Sequence, residues 1–125
     1  MIAYRMVGMK HKTFAGSLKD AFKGIFFVIR HERNMSFHIL AAALALAASF
    51  YYKINRMEFL FVITAIFLVM ITEMLNTALE TLVDLYTREY HPLAGIAKKV
   101  AAGAVLGAAL FAVVIACLVF GDKLW

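Results

Sequence analysis

From Thr13 to His31 the apolar residues Phe14, Leu18, Ala21, Phe22, Ile25, Phe26 and Ile29 recur at three- and four-residue spacing, while Lys12, Lys19, Lys23 and Arg30 occupy other sides. That period predicts an amphipathic helix over about 13–31. Two placements fit it: in the headgroup plane of a membrane with its lysines on the phosphates, and packed on a transmembrane bundle; each is compatible with the other. A polar knot follows, His31-Glu32-Arg33-Asn34-Met-Ser36-Phe-His38, and after it come three long apolar runs. The first, Ile39 to Tyr52, is shorter than the ~20 residues a span needs. Its helix must therefore begin near Asn34, which gives a span at about 34–52 with the knot at the membrane surface. A short polar connector, Tyr52 to Arg56, leads to a second span at about 57–86. The connector Thr87 to Leu93 leads to a third at about 93–120, with Pro92 as a stop or a first-turn residue. Residues 1–12 carry Arg5, Lys10 and Lys12 without periodicity and read as a loosely ordered tail. The predicted fold class is an all-α membrane protein, one membrane-embedded domain over 1–125, with an N-terminal surface helix and three transmembrane helices.

The second run is interrupted in one direction only. In Glu73-Met-Leu-Asn76-Thr-Ala-Leu-Glu80-Thr-Leu-Val-Asp84, a helix of ~100° and ~1.5 Å per residue places Glu73, Asn76, Glu80 and Asp84 within an arc of about 80°, stacked along roughly 16 Å. Around them lie Phe61, Val62, Ile66, Phe67, Leu68, Met70, Ile71, Leu75, Leu79 and Leu82, so the stripe is not the wet face of a soluble helix. Ionisable groups in a span face a bundle interior or an aqueous cavity and are functional candidates. A polar seam joining helices is the structural alternative. Three carboxylates on one stripe repel one another, and a divalent cation relieves that repulsion. Because this run exceeds a ~30 Å hydrocarbon core, its last turns should carry Glu80 and Asp84 out of the lipid.

Composition agrees: 64% of the 125 residues are hydrophobic, too many for an ordinary soluble domain. The formal charge of +5 does not point to nucleic acid, because the basic residues lie in the N-terminal third and at segment ends without aromatic interleaving on a polar face. Attraction to anionic headgroups and the positive-inside bias account for them better. Ten lysines and arginines fall on the side of the N-terminal segment, Arg88, Lys98 and Lys99, and three fall on the side of Lys53, Arg56 and Lys123. The amino terminus is therefore expected in the cytoplasm and the carboxyl terminus outside the cell membrane. Cys117 lies among Val114, Ile115, Leu118 and Val119 and reads as a small apolar residue. No apolar core precedes the first charges, so no cleaved signal peptide is expected. Ala101, Gly103, Gly107 and Ala109 in the third span would allow close helix approach in a bundle or oligomer.

With that orientation Glu32, Glu80, Asp84, Glu89, His91, Lys98 and Lys99 gather at the cytoplasmic face, with Glu73 deepest. No Walker-type loop, dinucleotide glycine pattern or nucleophile elbow is present, and the histidines lack zinc spacing. Carboxylates beside lysines are the set phosphoryl transfer uses: acids for Mg²⁺, a cation on phosphate oxygens, and a base for the attacking hydroxyl. Glu73 lies two turns deeper than Glu80, within reach of a lipid hydroxyl at the headgroup boundary and away from a soluble alcohol. A proton-coupled transporter would need midplane carboxylates open to both sides, whereas here the polar groups collect at one face. A purely structural subunit leaves the stripe unexplained.

The run Glu73 to Asp84, followed by Glu89-Tyr-His91-Pro-Leu-Ala and Ala97-Lys98-Lys-Val-Ala-Ala-Gly-Ala-Val-Leu106, closely resembles the bacterial integral-membrane diacylglycerol kinase family. The resemblance runs from about Ser17 and includes Ala21-Phe-Lys-Gly24 and Glu32-Arg-Asn34. Within it, Glu32 to His38, Asn76 to Glu80 and Ala101 to Leu106 look more like the undecaprenol kinases of Gram-positive bacteria than the diacylglycerol kinases of Gram-negative ones. The resemblance implies a homotrimer with sites shared between neighbours and direct transfer of the ATP γ-phosphate to a lipid hydroxyl, of undecaprenol or of diacylglycerol. At matching positions it implies Glu73 as general base, Glu32 and Glu80 as Mg²⁺ ligands at the nucleotide, Asn76 as a polar support and Asp84 as the residue orienting the network. Glu89, Tyr90, His91 and Lys98 would contact ATP, Lys98 at the phosphates. Lys99 stands where the family commonly has Asp; there it either adds a phosphate contact or faces lipid headgroups.

Overall fold

A computed structural model describes residues 13–124. The predicted tail, with Arg5, Lys10 and Lys12, lies outside the described residues. Those described form four helices and no strand: α1 Phe14–His31, α2 Arg33–Tyr51, α3 Arg56–Tyr86 and α4 Pro92–Leu124. The last three are long and apolar enough to cross a membrane. The chain is an all-α, multi-pass membrane protein.

Local chemistry sets the helix ends. Thr13 caps α1, its hydroxyl accepting from the Gly16 amide at 3.0 Å. Glu32, in extended conformation, ends α1 and starts α2, a one-residue break at the polar knot. Asn55 opens α3 with a capping box: its Oδ1 accepts from the Glu58 amide at 2.8 Å, and Glu58 Oε1 accepts from the Asn55 amide at 3.1 Å. Pro92 is the first residue of α4, where a missing amide proton costs nothing. The predicted end of this helix at Phe120 is passed by one turn. Lys123 Nζ donates to the Val119 carbonyl at 2.9 Å and to Glu58 Oε2 at 3.2 Å, satisfying the last turn and tying the end of α4 to the start of α3.

The hydrophobic core is small and lies towards that end: Val62 and Ala65 of α3 against Ile115, Val119 and Phe120 of α4, with Ala45, Ala48 and Tyr52 packed on them. The pairing of α3 with α4 is the most extensive; α2 packs on α3, and α1 touches α2 and α3. Most large apolar side chains face outward, among them Leu60, Phe67, Ile71, Leu75 and Leu82 of α3. In water such a surface would aggregate, whereas in a bilayer it is the ordinary lipid-facing surface. On α1, Phe14, Phe22 and Phe26 are likewise exposed and Val28 alone is buried, which suits a helix lying on the membrane.

Within this chain the glycines of the small-residue row are not where helices approach closely. A Cβ placed on Gly103 or Gly107 would meet nothing within 4 Å. Ala108, Ile115, Val119 and Phe120 are the buried residues of α4 instead.

Candidate active site

Along α3 the buried residues are Val62, Ala65, Val69, Glu73 and Thr77, a single row that begins in the core and ends polar. Glu73 is 1% exposed, as deeply buried as Met35 beside the polar knot. Neither carboxylate oxygen has a hydrogen-bond partner, although Glu73 lies within electrostatic reach of Glu32, Glu80 and the Asn34 amide. Three acids from two places in the chain thus converge: Glu32 from the α1–α2 break, and Glu73 and Glu80 from two turns of α3. An unpaired buried charge is expensive, which makes this carboxyl group a candidate for function.

The rest of the stripe is arranged in the expected order of depth. Asn76 Nδ2 donates to Glu80 Oε1 at 3.3 Å, which leaves the Asn76 Oδ1 buried and open to another donor. One turn beyond, Asp84 is exposed and receives Lys98 Nζ of α4 at 2.7 Å. That contact joins the end of α3 to the start of α4 and points a lysine at the polar end of the stripe. Lys99, the next residue, is exposed.

The connector residues are positioned locally and not against Glu73. Thr87 Oγ1 accepts from the Glu89 amide at 3.2 Å, and His91 Nδ1 accepts from the Leu93 amide at 3.1 Å, fixing a tight turn ahead of Pro92. Tyr90 is 88% exposed. None of the hydrogen bonds of Glu89, Tyr90 or His91 among the described residues reaches the Glu73 cluster. His91 does border an open hollow of ≈ 770 Å³ between the end of α3 and the start of α4, with Tyr86 and Thr87 on its rim.

Two neighbours of Glu73 lacked a role in the sequence reading. Asn34, two residues past Glu32 in the polar knot, is brought to Glu73 by the packing of α2 on α3. Thr77 is buried with an unpartnered hydroxyl one turn beyond Glu73. The four-residue step from Val69 through Glu73 to Thr77 was its only signal.

A buried carboxyl group with two further acids within electrostatic reach, and a lysine at the exposed end of the same stripe, is the arrangement the structure brings together. The family model described as Prokaryotic diacylglycerol kinase matches residues 19–120. The chain is 40% identical over 111 residues to the undecaprenol kinase of Bacillus subtilis (strain 168), covering 89% of this chain and 90% of that one. It is 38% identical over 100 residues to a diacylglycerol kinase of Synechocystis sp., covering 79% of this chain and 57% of that longer protein. To the diacylglycerol kinase of Escherichia coli (strain K12) it is 37% identical over 79 residues, 63% of this chain and 65% of that one. The match runs through the surface helix, the Glu73 stripe and most of α4, so the chain belongs to the prokaryotic diacylglycerol kinase family and is an ATP-using lipid kinase of the membrane.

Proposed function

We propose that this kinase transfers the γ-phosphate of ATP to the hydroxyl of undecaprenol, giving undecaprenyl phosphate. The observation that carries the chemistry is the buried, unpartnered carboxylate of Glu73. The lipid alcohol enters sideways and the nucleotide from water. Glu73 takes the hydroxyl proton while the lipid oxygen attacks the γ-phosphorus. The new oxygen–phosphorus bond forms as the bond to the β,γ-bridging oxygen breaks, and ADP leaves with that electron pair. Asn76 steadies Glu80 and offers its free Oδ1 to the reacting groups. Lys98, oriented by Asp84, neutralises phosphate oxygens. Glu89, Tyr90 and His91 hold the nucleotide at the mouth of the hollow, with Lys99 beside them.

The donor set fits Mg²⁺. This cation commonly takes one or two carboxylates and completes its shell with water and substrate phosphates. Glu32 and Glu80, both within electrostatic reach of Glu73, supply that number, and no closed cage of three or more His, Cys, Asp or Glu occurs among the described residues. When bound, Mg²⁺ would neutralise charge building between the β- and γ-phosphates.

Undecaprenol is favoured over diacylglycerol because similarity to the Bacillus undecaprenol kinase extends through nearly all of both chains. The membrane is the cytoplasmic membrane, with the amino terminus in the cytoplasm and the carboxyl terminus outside. The lipid-like outer faces of α3 and α4 also provide the surface on which a homotrimer would assemble. The reading is tested by offering undecaprenol and diacylglycerol together with radiolabelled ATP in detergent. Label should enter undecaprenol first; label confined to diacylglycerol would make this a phosphatidic-acid-forming enzyme.

A further inference from the structure

Threonine occurs at four positions of α3, 64, 72, 77 and 81. A threonine inside a helix commonly donates its hydroxyl proton to the carbonyl one turn back. Thr64, Thr72 and Thr81 do so, to the carbonyls of Leu60, Leu68 and Thr77 at 2.8, 2.9 and 2.8 Å. Ser49 of α2 does the same to Ala45 at 2.7 Å. Thr77 is the exception. It alone of the four is buried, and its enclosed Oγ1 has no hydrogen-bond partner. A buried hydroxyl left uncommitted is costly, by the reasoning that also singles out Glu73.

Thr77 follows Glu73 on the buried row of α3, ~6 Å further along the axis, and Glu80 lies ~4.5 Å beyond it. The stretch between the two acids is rich in acceptors: their carboxyl oxygens and the Asn76 Oδ1, which is buried and unpartnered. The amide of Asn76 is engaged, its Nδ2 donating to Glu80 Oε1. The Thr77 hydroxyl is the side-chain donor of that stretch with no acceptor committed to it.

We propose that Thr77 is a further catalytic residue of this kinase, its hydroxyl donating to an oxygen of the phosphoryl group as that group passes from nucleotide to lipid. The inference rests on the reading above, in which Glu73 takes the lipid proton and Glu80 serves the nucleotide end, and it holds for either lipid alcohol. On that reading the phosphorus crosses between the levels of the two acids, and Thr77 stands at that height. The oxygens of the transferring group are acceptors, and the neighbouring Asn76 Oδ1 and a Glu73 free to act as base have no proton to offer them. Thr77 keeps its own proton throughout. The lipid proton goes to Glu73, the oxygen–phosphorus bond forms to the lipid, and the electron pair of the broken bond leaves with ADP. A donor already in place where charge gathers lowers the barrier without tightening the binding of either substrate.

The test uses the full-length enzyme in detergent with whichever of undecaprenol and diacylglycerol the wild type phosphorylates. Thr77→Val, Thr77→Ser and Thr77→Ala are compared with Thr64→Val, whose hydroxyl is committed to Leu60. Each is assayed with Mg-ATP and with Mg-ATPγS, and thermal melting checks folding. Thr77→Val keeps the shape and loses the donor. Its kcat should fall by about 10- to 100-fold, the scale of one hydrogen bond to a charged group, with KM for Mg-ATP and for the lipid unchanged. It should melt no lower than the wild type, because the group removed is an unpartnered buried hydroxyl. Thr77→Ser should recover most of the rate. Sulfur is a weaker acceptor than oxygen, so the ratio of rates with ATP and ATPγS should shrink in Thr77→Val and stay full in Thr64→Val. Thr77→Ala removes the same donor in a smaller side chain and should show the same reduced ratio even if valine is not accommodated. A folded Thr77→Val or Thr77→Ala with the wild-type kcat and ratio, beside an inactive Glu73→Gln, would overturn the role of Thr77 alone. So would a loss of rate that serine does not recover and that goes with a lowered melting temperature, the mark of a packing residue. A Glu73→Gln enzyme that turns over normally would overturn the parent reading, and the height assigned to the phosphoryl group with it.

Discussion

Glu73 and Glu80 are two turns apart on one helix and stand in different surroundings. Glu80 is half-buried and receives the Asn76 amide, whereas Glu73 is enclosed and unpaired. The first already has a side-chain partner on its own helix; the second has the Asn34 amide within electrostatic reach and no hydrogen bond to either oxygen. Glu73→Gln keeps the shape and removes the proton acceptor, so turnover should fall by about 10²–10⁴ or more, with nucleotide binding retained; a rate near that of the wild type would remove Glu73 from the chemistry. Asp84→Asn separates orientation from stability. The Lys98–Asp84 pair is largely exposed, and such pairs contribute only ~0–1 kcal/mol to folding. Its loss should therefore raise KM for Mg-ATP with little change in melting temperature, and the reverse pattern would make it a structural clasp. The stripe from Glu73 to Asp84 was legible because helical geometry alone puts these residues together. The nearness of Asn34 to Glu73 was not, since it depends on how two helices cross.

At the level of elements, the helix ends followed from residue chemistry wherever the decisive partner was close in sequence. Asn55 and Pro92 could be placed from the chain because caps act within one turn. The extension of α4 to Leu124 could not, because Glu58 meets Lys123 across 65 residues. Asn55→Ala should remove one half of the capping box and cost about 1 kcal/mol. A lowered melting temperature with unchanged kinetics would be the signature, because the cap lies at the end of α3 remote from Glu73; altered lipid turnover in a stable variant would contradict that separation. Similarly, small residues in α4 announce close approach, but their spacing cannot say to which helix. Gly103 and Gly107 have open space beside them within this chain's fold, which leaves that row to lipid or to a second copy.

As a whole the molecule buries little within itself, with most large apolar side chains turned to the surrounding lipid. Its composition announced that arrangement, and the basic residues suggested which way round it sits. What no linear reading could supply is the height of each group in the membrane. The single extended residue at Glu32 is the place where that height could vary. A rod afloat on the bilayer surface and a post sunk through it meet at one joint, and the joint carries a carboxylate facing Glu73. If that joint bends, thinning the bilayer would draw the float down against the post, and thickening would lift it. Turnover should consequently peak at one acyl length when the enzyme is reconstituted in phosphatidylcholines of graded chain length, with Mg-ATP affinity moving alongside. A flat profile would mean the joint is rigid. The enzyme would then be a gauge of the sheet it works in, slowing where the membrane is drawn thin or swollen thick.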